Sequence, residues 1–496
     1  MHFPETHFLE PPQKKNALGL WIERLTLCFF AVVTVTILYY FFSERVQNWR
    51  PLGYGIAGLY LLLLLLGCVL IAFRCKKQPP LSVLAIILLL SLGSRLCYVL
   101  LIPTEPVSDF ALLYESAQAA AAGDFSWSQT TTGYFYLWAY QIPFVLYEAG
   151  VLRLFHSMFI LELLNVLFMV GSNYLLYRIA KTFLSEAASF CVTFLYAAFP
   201  GAVMLASVLT NQHISLFFLL LGVFCLLQAK NWRFLLLAGL SFAVSNLMRP
   251  ELIIILTAVG CCGLLRWMQH PTRESFLGFI ASFALVFGSY WATSKLVELA
   301  LMGLRIAPNG LANHALEWKF VLGLGNVEGY GSYSEKNVAI LSIASSAARK
   351  KATLDAIQNA FANSQISPAH FFLEKANRFW TQPQSINWST WNLADNAQVL
   401  PGLTVEGFRA YMQWFERAAL LLVYLLALPA PVLLWRKENR KRGGALLCLA
   451  ILCITFCVYL LIEIQPRYRY SVMPFWVLAV GITLEWMTGR LKKRTV

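Results

Sequence analysis

The sequence predicts an all-α polytopic membrane protein, on three observations. Hydrophobic residues make up 58% of the 496, charged residues only 13%, and the mean hydropathy is +0.62. A soluble domain cannot hide that much apolar surface. The apolar residues fall in continuous runs near the length that a helix needs to cross a hydrocarbon core of roughly 30 Å. These runs do not alternate polar with apolar, as the strands of a membrane β-barrel would.

The chain opens on MHFPETHFLEPPQKKN, and no small-residue cleavage site follows the first apolar run, so that run reads as a retained span. In order, the expected spans are 21–42, 52–73, 81–102, 158–177, 187–206, 212–229, 234–248, 251–266, 276–300, 415–435, 444–462 and 470–488, about twelve in all. The segment 133–155, GYFYLWAYQIPFVLYEAGVLRLF, is apolar and aromatic but carries Pro143 and Glu148. Basic clusters decide its place. If it does not cross, then Lys14–Lys15, Arg74–Lys76–Lys77, Arg178 and Lys181, Lys230 and Arg233, Arg266 and Arg273, WRKENRKR at 435–442 and GRLKKR at 489–494 all share one side. That is the cytoplasmic side by the positive-inside rule, and 133–155 then lies at the outer interface or re-enters.

The net charge of +14 does not call for nucleic acid, because the Lys and Arg residues sit in short clusters between apolar runs. None of the 11 cysteines lies in the polar stretch 301–413, and there is no CxxC motif. Core-filling thiols are expected rather than a disulfide framework or a zinc site. No metal-ligand cluster stands out, so neither a metal nor a cofactor is expected.

Polar residues gather at the outer ends of spans. After Pro103 come Glu105 and Asp109, then Tyr114 and Glu115. Ser108 and Asp109 suit the start of a helix FALLYESAQAAAA that ends near Gly123–Asp124, and an acid there either caps the helix or does chemistry. In SNLMRPEL, Arg249 either snorkels or binds an anion, Pro250 suits the first turn of the next helix, and Glu251 is a partner charge. In EIQPRYRYSVMPF, Glu463 closes one span, and Arg467, Tyr468, Arg469 and Tyr470 open the next. Outer arginines run against the positive-inside trend. They either pair with Glu463 or grip a phosphate, whose oxygens a guanidinium fork matches.

The stretch 301–413 reads as an outer subdomain. It contains GLGNVEGYGSY at 323–333, which lacks the GK[ST] ending of a phosphate loop, a helical-looking stretch 337–362, and Trp380, Trp388 and Trp391, either interfacial anchors or sugar platforms.

These motifs, in this order, resemble the GT-C superfamily of polyprenyl-phosphate-sugar-dependent glycosyltransferases, including protein O-mannosyltransferases and lipid A aminoarabinose transferases. The likeness is carried by PVSDFALLYESA, GYFYLWAYQIPFVL, NVLFMVGSNYLLYRIAK, LMRPEL and EIQPRYRYSVMPF, over most of residues 81–488. It implies a GT-C-like bundle with outer interfacial helices and four regions. Residues 1–80 hold the N-terminus and two added spans. Residues 81–300 form the membrane core with a first outer loop at 103–157, 301–413 the outer subdomain, and 414–496 the last spans and basic tail.

The resemblance also implies transfer of a sugar from a polyprenyl-phosphate donor to a glycan, lipid or protein acceptor outside the cell membrane, with inversion. Asp109 would be the general base, Glu115 or Asp124 a second acid, and Arg249, Arg467 and Arg469 would hold the donor phosphate. Tyr114, Tyr468 and Glu463 would line the substrate. There is no adjacent Asp-Glu pair after the third span, only Ser-Asp-Phe, which departs from the mannosyltransferase pattern. A polysaccharide polymerase or ligase, a transporter and a non-catalytic scaffold are the competing classes. A transporter would keep ionisable groups near the bilayer midplane, where these spans are mostly Leu, Phe, Ala and Val.

Overall fold

The computed structural model describes residues 16–45, 51–75, 80–131, 133–269, 271–383, 385–436 and 442–494. Lys14–Lys15, Lys76–Lys77 and residues 437–441 of the expected basic clusters lie outside them. The described chain is helical apart from loops and one antiparallel hairpin, in which Gln398–Leu400 faces Leu403–Thr404 across Pro401–Gly402. Gly402 adopts φ +79°, a left-handed conformation that only glycine takes without strain.

Among the described residues, eight helices are long and apolar enough to cross a membrane: Ala17–Phe42, Gly55–Arg74, Pro80–Leu101, Met158–Ala180, Leu252–Gln269, Arg273–Gly303, Val405–Trp435 and Gly443–Leu461. A ninth results if Glu186–Ala197 and Pro200–Ser207, bent by 47°, count as one. Three of the expected spans are shorter apolar helices, Gln212–Leu227, Trp232–Met248 and Met473–Thr488. Of the about twelve expected spans, eight or nine reach membrane length by length and composition among the described residues. The sixteen residues of Gln212–Leu227 rise only ~24 Å. Polar turns at Thr210–Asn211 and Arg249–Glu251 cut the helices short, and these turns build the site below.

The segment 133–155 holds no long helix. It folds as a turn of helix at Tyr134–Leu137, a 3₁₀ turn at Ala139–Gln141 and a helix Ile142–Phe155, with Pro143 in the first turn, where its missing N–H costs nothing. That helix packs on Asp109–Ala121 through a separate small core that includes Leu113, Ala117, Val145 and Leu152. The first long helix packs into the main core. Phe30 of the first meets Trp476 of the last at 5.3 Å between ring centroids, and both side chains are fully buried in the main core. Buried aromatic pairs of this kind contribute about 0.5–1.5 kcal/mol beyond area burial.

In the stretch 301–413 the helix begins at Ser346, not at 337. Residues Val338–Ser342 form a 3₁₀ turn, and the Ser345 hydroxyl accepts the Ala348 N–H to start Ser346–Ala362. All eleven cysteines are free thiols.

The span interiors are not uniformly apolar. Arg95, on Pro80–Leu101, is fully buried. Its Nη1 donates to the Ala197 carbonyl at 3.0 Å and to Ser91 Oγ at 2.9 Å. Ala197 is the last residue of the helix before the 47° bend, so its carbonyl has no partner one turn on and the arginine supplies one. Tyr60 does the same for the Ala198 carbonyl at 2.6 Å.

Candidate functional site: a cation cluster around Tyr468

Segments remote in sequence meet at one end of the helices. Tyr468 stands on the 3₁₀ turn Pro466–Ser471, and three cations surround its ring: Arg249 at 5.0 Å, Arg467 at 5.6 Å and Lys319 at 5.8 Å from the centroid. Each is held differently. Arg249 forms an ion pair with Glu251, and its Nη1 donates to Asn211 Oδ1 at 3.4 Å. Pro250 lies ahead of the helix Leu252–Gln269 rather than in its first turn. Burial opposes the charge of Arg249, but Glu251 outweighs it and holds its pKa above the ordinary value.

Lys319 was not singled out from the sequence, yet it takes the carboxylate expected to pair with the arginines. Its Nζ meets Glu463 at 2.5 Å and lies 5.5 Å from the Trp138 ring. Desolvation works against its charge, but Tyr468 and Glu463 raise its pKa overall. The glycines of GLGNVEGYG explain how this lysine arrives. A Cβ on Gly323 would lie 2.4 Å from the backbone of Ile462, so only glycine lets the loop rest on the end of Gly443–Leu461. Backbone bonds then lock the contact, Glu463 N–H to Lys319 O and Ile464 N–H to Gly331 O, both at 2.9 Å. Gly323 thus serves close approach of two backbones.

Arg467 has no carboxylate within 4.0 Å among the described residues. Its guanidinium lies 3.9 Å from the Trp388 ring centroid and 5.0 Å from that of Phe110, and its Nε donates to Gln465 Oε1 at 2.7 Å. A cation over a tryptophan face gains about 0.5–2 kcal/mol, more as water is excluded. Trp388 is thus a seat for Arg467. Trp380 is a core residue, 1% exposed, and Trp391 is exposed and tilts onto Trp388 at 5.3 Å.

Arg469, expected to share a phosphate, is 3% exposed and already engaged. It donates to the carbonyls of Trp380 and Gln382, each at 2.6 Å, and to Pro466 O at 3.1 Å, with Glu416 at 3.6 Å. Its donors clamp the turn that presents Tyr468 and Arg467.

Asp109 opens the helix Asp109–Ala121 on the same side as Arg467, because its neighbour Phe110 is one of the rings beside that guanidinium. It is exposed and makes no hydrogen bond or ion pair among the described residues. Ser108 before it occupies the cap position at φ 54° without a side-chain cap bond, a conformation unusual for a non-glycine residue. The phenols report the shared field. Burial pushes the pKa of Tyr134 up, Asp109 adds to the push and Arg467 opposes it. Burial also raises Tyr140, with Lys319 and Arg249 opposing and Asp109 adding.

A polar chain ties these groups together. Gln141 Nε2 donates to the hydroxyls of Tyr134 and Tyr140 at 3.3 Å, and its Oε1 accepts from Asn211 Nδ2 at 3.0 Å. Gln212 Nε2 donates to the Arg467 carbonyl at 3.0 Å. Below Arg467 a cavity of about 10 Å³, bordered by Tyr196, Ser385, Glu416 and Arg469, has room for a single water.

Glu115 and Tyr114 are not in this cluster. Six residues at 100° each turn Glu115 about 120° around the helix from Asp109. Glu115 is exposed, and Tyr114 packs toward the second core beside Glu148. Asp124 is exposed and accepts the Ser126 N–H at 2.8 Å. Lys319 carries no motif that marks it in sequence; Tyr134 and Tyr140 lie in GYFYLWAYQIPFVL, and Asn211 and Gln212 lie in a polar turn between apolar runs, but nothing local shows that they meet. An outer lysine between glycines and tryptophans was the nearest signal.

Fold and site together define a multi-pass α-helical membrane protein with a cationic, aromatic-walled site where its helices end. Neither the protein-family models nor the curated proteins give a match to this chain.

Proposed function

We propose that the protein is a GT-C-like membrane glycosyltransferase that moves a sugar from a polyprenyl-phosphate donor to an acceptor on the outer face of the membrane. In this reading the twelve apolar helices, the three shorter ones included, form the bundle, and 301–413 is its outer subdomain. The observation that supports it best is Arg467: a guanidinium with no carboxylate partner among the described residues, held by Trp388 and by Phe110, the neighbour of an exposed Asp109 whose side chain has no bond among them. A cation in that setting is ready for a phosphate anion.

Arg467, Lys319 and Arg249 grip the donor phosphate. Asp109 takes the proton of an acceptor hydroxyl, whose oxygen attacks the anomeric carbon on the face opposite the phosphate. The C–O bond to phosphate breaks, the configuration inverts, and the lipid phosphate leaves as an anion stabilised by the three cations. The phosphate needs little acid help, so a single acid beside the acceptor suffices. The experiment is transfer of labelled sugar from lipid-linked donor in membranes carrying Asp109→Asn. Loss of transfer with normal accumulation supports the assignment, and retained transfer removes it.

One observation favours a second reading, a transporter. A fully buried arginine and a helix broken by 47° lie within the membrane-length helices. Arg95 serves the broken helix as a cap, which is why the transferase reading is preferred. Uptake of a sugar phosphate into vesicles, abolished by Arg95→Gln and not by Asp109→Asn, would reverse that preference.

A further inference from the structure

At the opposite end from the cation cluster, the outer surface of the helices carries a crevice of about 320 Å³ lined by Leu27, Cys28, Ala31, Pro431, Val432 and Trp435. Its position follows from two links. The helix Leu252–Gln269 starts next to Glu251 in the cluster and rises ~27 Å to Gln269. There the Gln269 carbonyl accepts the Asn16 N–H, which ties the start of the first helix to the far end. Arg24 stands two turns into that helix. With Phe42 as the far end of that span, the eighteen steps back to Arg24 cover ~27 Å, close to the thickness of a hydrocarbon core, which puts Arg24 at the other boundary. Trp435, the last residue of its own span, is at the same level, where tryptophan is enriched.

The guanidinium of Arg24 lies 4.9 Å from the Trp435 ring centroid, and among the described residues no carboxylate pairs with it. The adjacent Glu23 is 1% exposed and accepts from Gln269 Nε2 at 2.7 Å. Around the crevice, Leu25, Val32 and Val432 are more than half exposed, as suits a surface whose solvent is lipid. The walls are apolar, and at the rim an exposed cation, Arg24, is braced on an indole.

We propose that this crevice binds one anionic phospholipid, with an acyl chain along Leu27, Ala31 and Val432 and the headgroup phosphate on Arg24. A zwitterionic lipid carries its own cation and gains less from the arginine. A free phosphate gains nothing from the apolar walls. This site is separate from the cluster around Tyr468 and does not depend on the transferase reading.

The test is native mass spectrometry of the delipidated full chain in detergent, titrated with phosphatidylglycerol or with phosphatidylcholine of the same acyl chains. The wild type binds a first phosphatidylglycerol more tightly than phosphatidylcholine. Arg24→Gln weakens that first site about five-fold for phosphatidylglycerol, the factor for one basic residue at an anionic surface, and weakens phosphatidylcholine less, so the preference shrinks. Val432→Trp fills the crevice and removes the site for both lipids. Equal binding of the two lipids to the wild type overturns the proposal. So does an unchanged preference in Arg24→Gln, which would place the selectivity on other basic residues of that face.

Discussion

Arg467 and Arg469 stand two residues apart, and the structure separates their tasks, so substituting each by Gln is a sharp test. Arg467→Gln removes a cation–π contact with Trp388 and one bond to Gln465, and it strands no carboxylate. Its cost in stability is about 1–2 kcal/mol. If the guanidinium binds donor phosphate, the lost charge-assisted bonds are worth about 1.5–3 kcal/mol, or about 10- to 100-fold in donor KM, with acceptor KM unchanged. Arg469→Gln instead takes donors from the carbonyls of Trp380, Gln382 and Pro466 and leaves Glu416 buried without its cation. Breaking a buried pair costs about 3–5 kcal/mol. Thermal unfolding in detergent should therefore drop sharply for Arg469→Gln and little for Arg467→Gln, while donor KM rises for Arg467→Gln. Equal destabilisation of the two, or an unchanged donor KM in Arg467→Gln, would refute the division of labour.

Further predictions concern the base, two buried groups and sidedness. Asp109→Asn should lower the turnover of sugar transfer by about 10²- to 10⁴-fold with an unchanged melting temperature, because the side chain is exposed and unbonded. Lys375 is fully buried, with Nζ on the Gly323 carbonyl at 2.5 Å; burial lowers its pKa to about 7, against the pull of Glu463. Between that value and the unfolded lysine's, about 10.4, the unfolded chain binds more protons, so stability should rise with pH across this window, and Lys375→Met should flatten the rise in a melting series. Burial raises the Glu148 pKa well above 4.5, and its Oε2 has no hydrogen-bond partner among the described residues. Stability tied to the neutral acid is present below the unfolded pKa and is lost as pH climbs through and beyond it. Glu148→Gln should remove that loss, read as melting temperature from pH 4 upward in steps of about one unit. Cysteines introduced at Ser108 and Gln398 should react with an impermeant reagent in intact cells, and labelling only after permeabilisation would invert the orientation.

Much was legible along the chain because membrane-length apolar runs and Pro or Gly punctuation are local signals. The break of 133–155 at Pro143, the end of the first outer helix near Gly123 and the Arg249–Glu251 pair all follow from neighbours within a few residues. The number of full-length spans was less legible, since apolar composition does not state how far a helix continues past a polar turn such as Thr210–Asn211. Which cation meets which acid was not legible at all. Glu463 accepts from Gln465 two residues on and lies four residues from Arg467, yet the cation it pairs with is Lys319, 144 residues away.

By itself, then, the sequence determined the solvent of this protein: such apolar composition leaves a lipid bilayer as the only medium in which the chain can fold, and helices as the only way to satisfy its backbone there. Tertiary structure alone decided which of two neighbouring arginines stays available. Pro466–Ser471 turns Arg469 inward onto the Trp380 and Gln382 carbonyls and Arg467 onto the face of Trp388, and that choice depends on where distant segments come to rest.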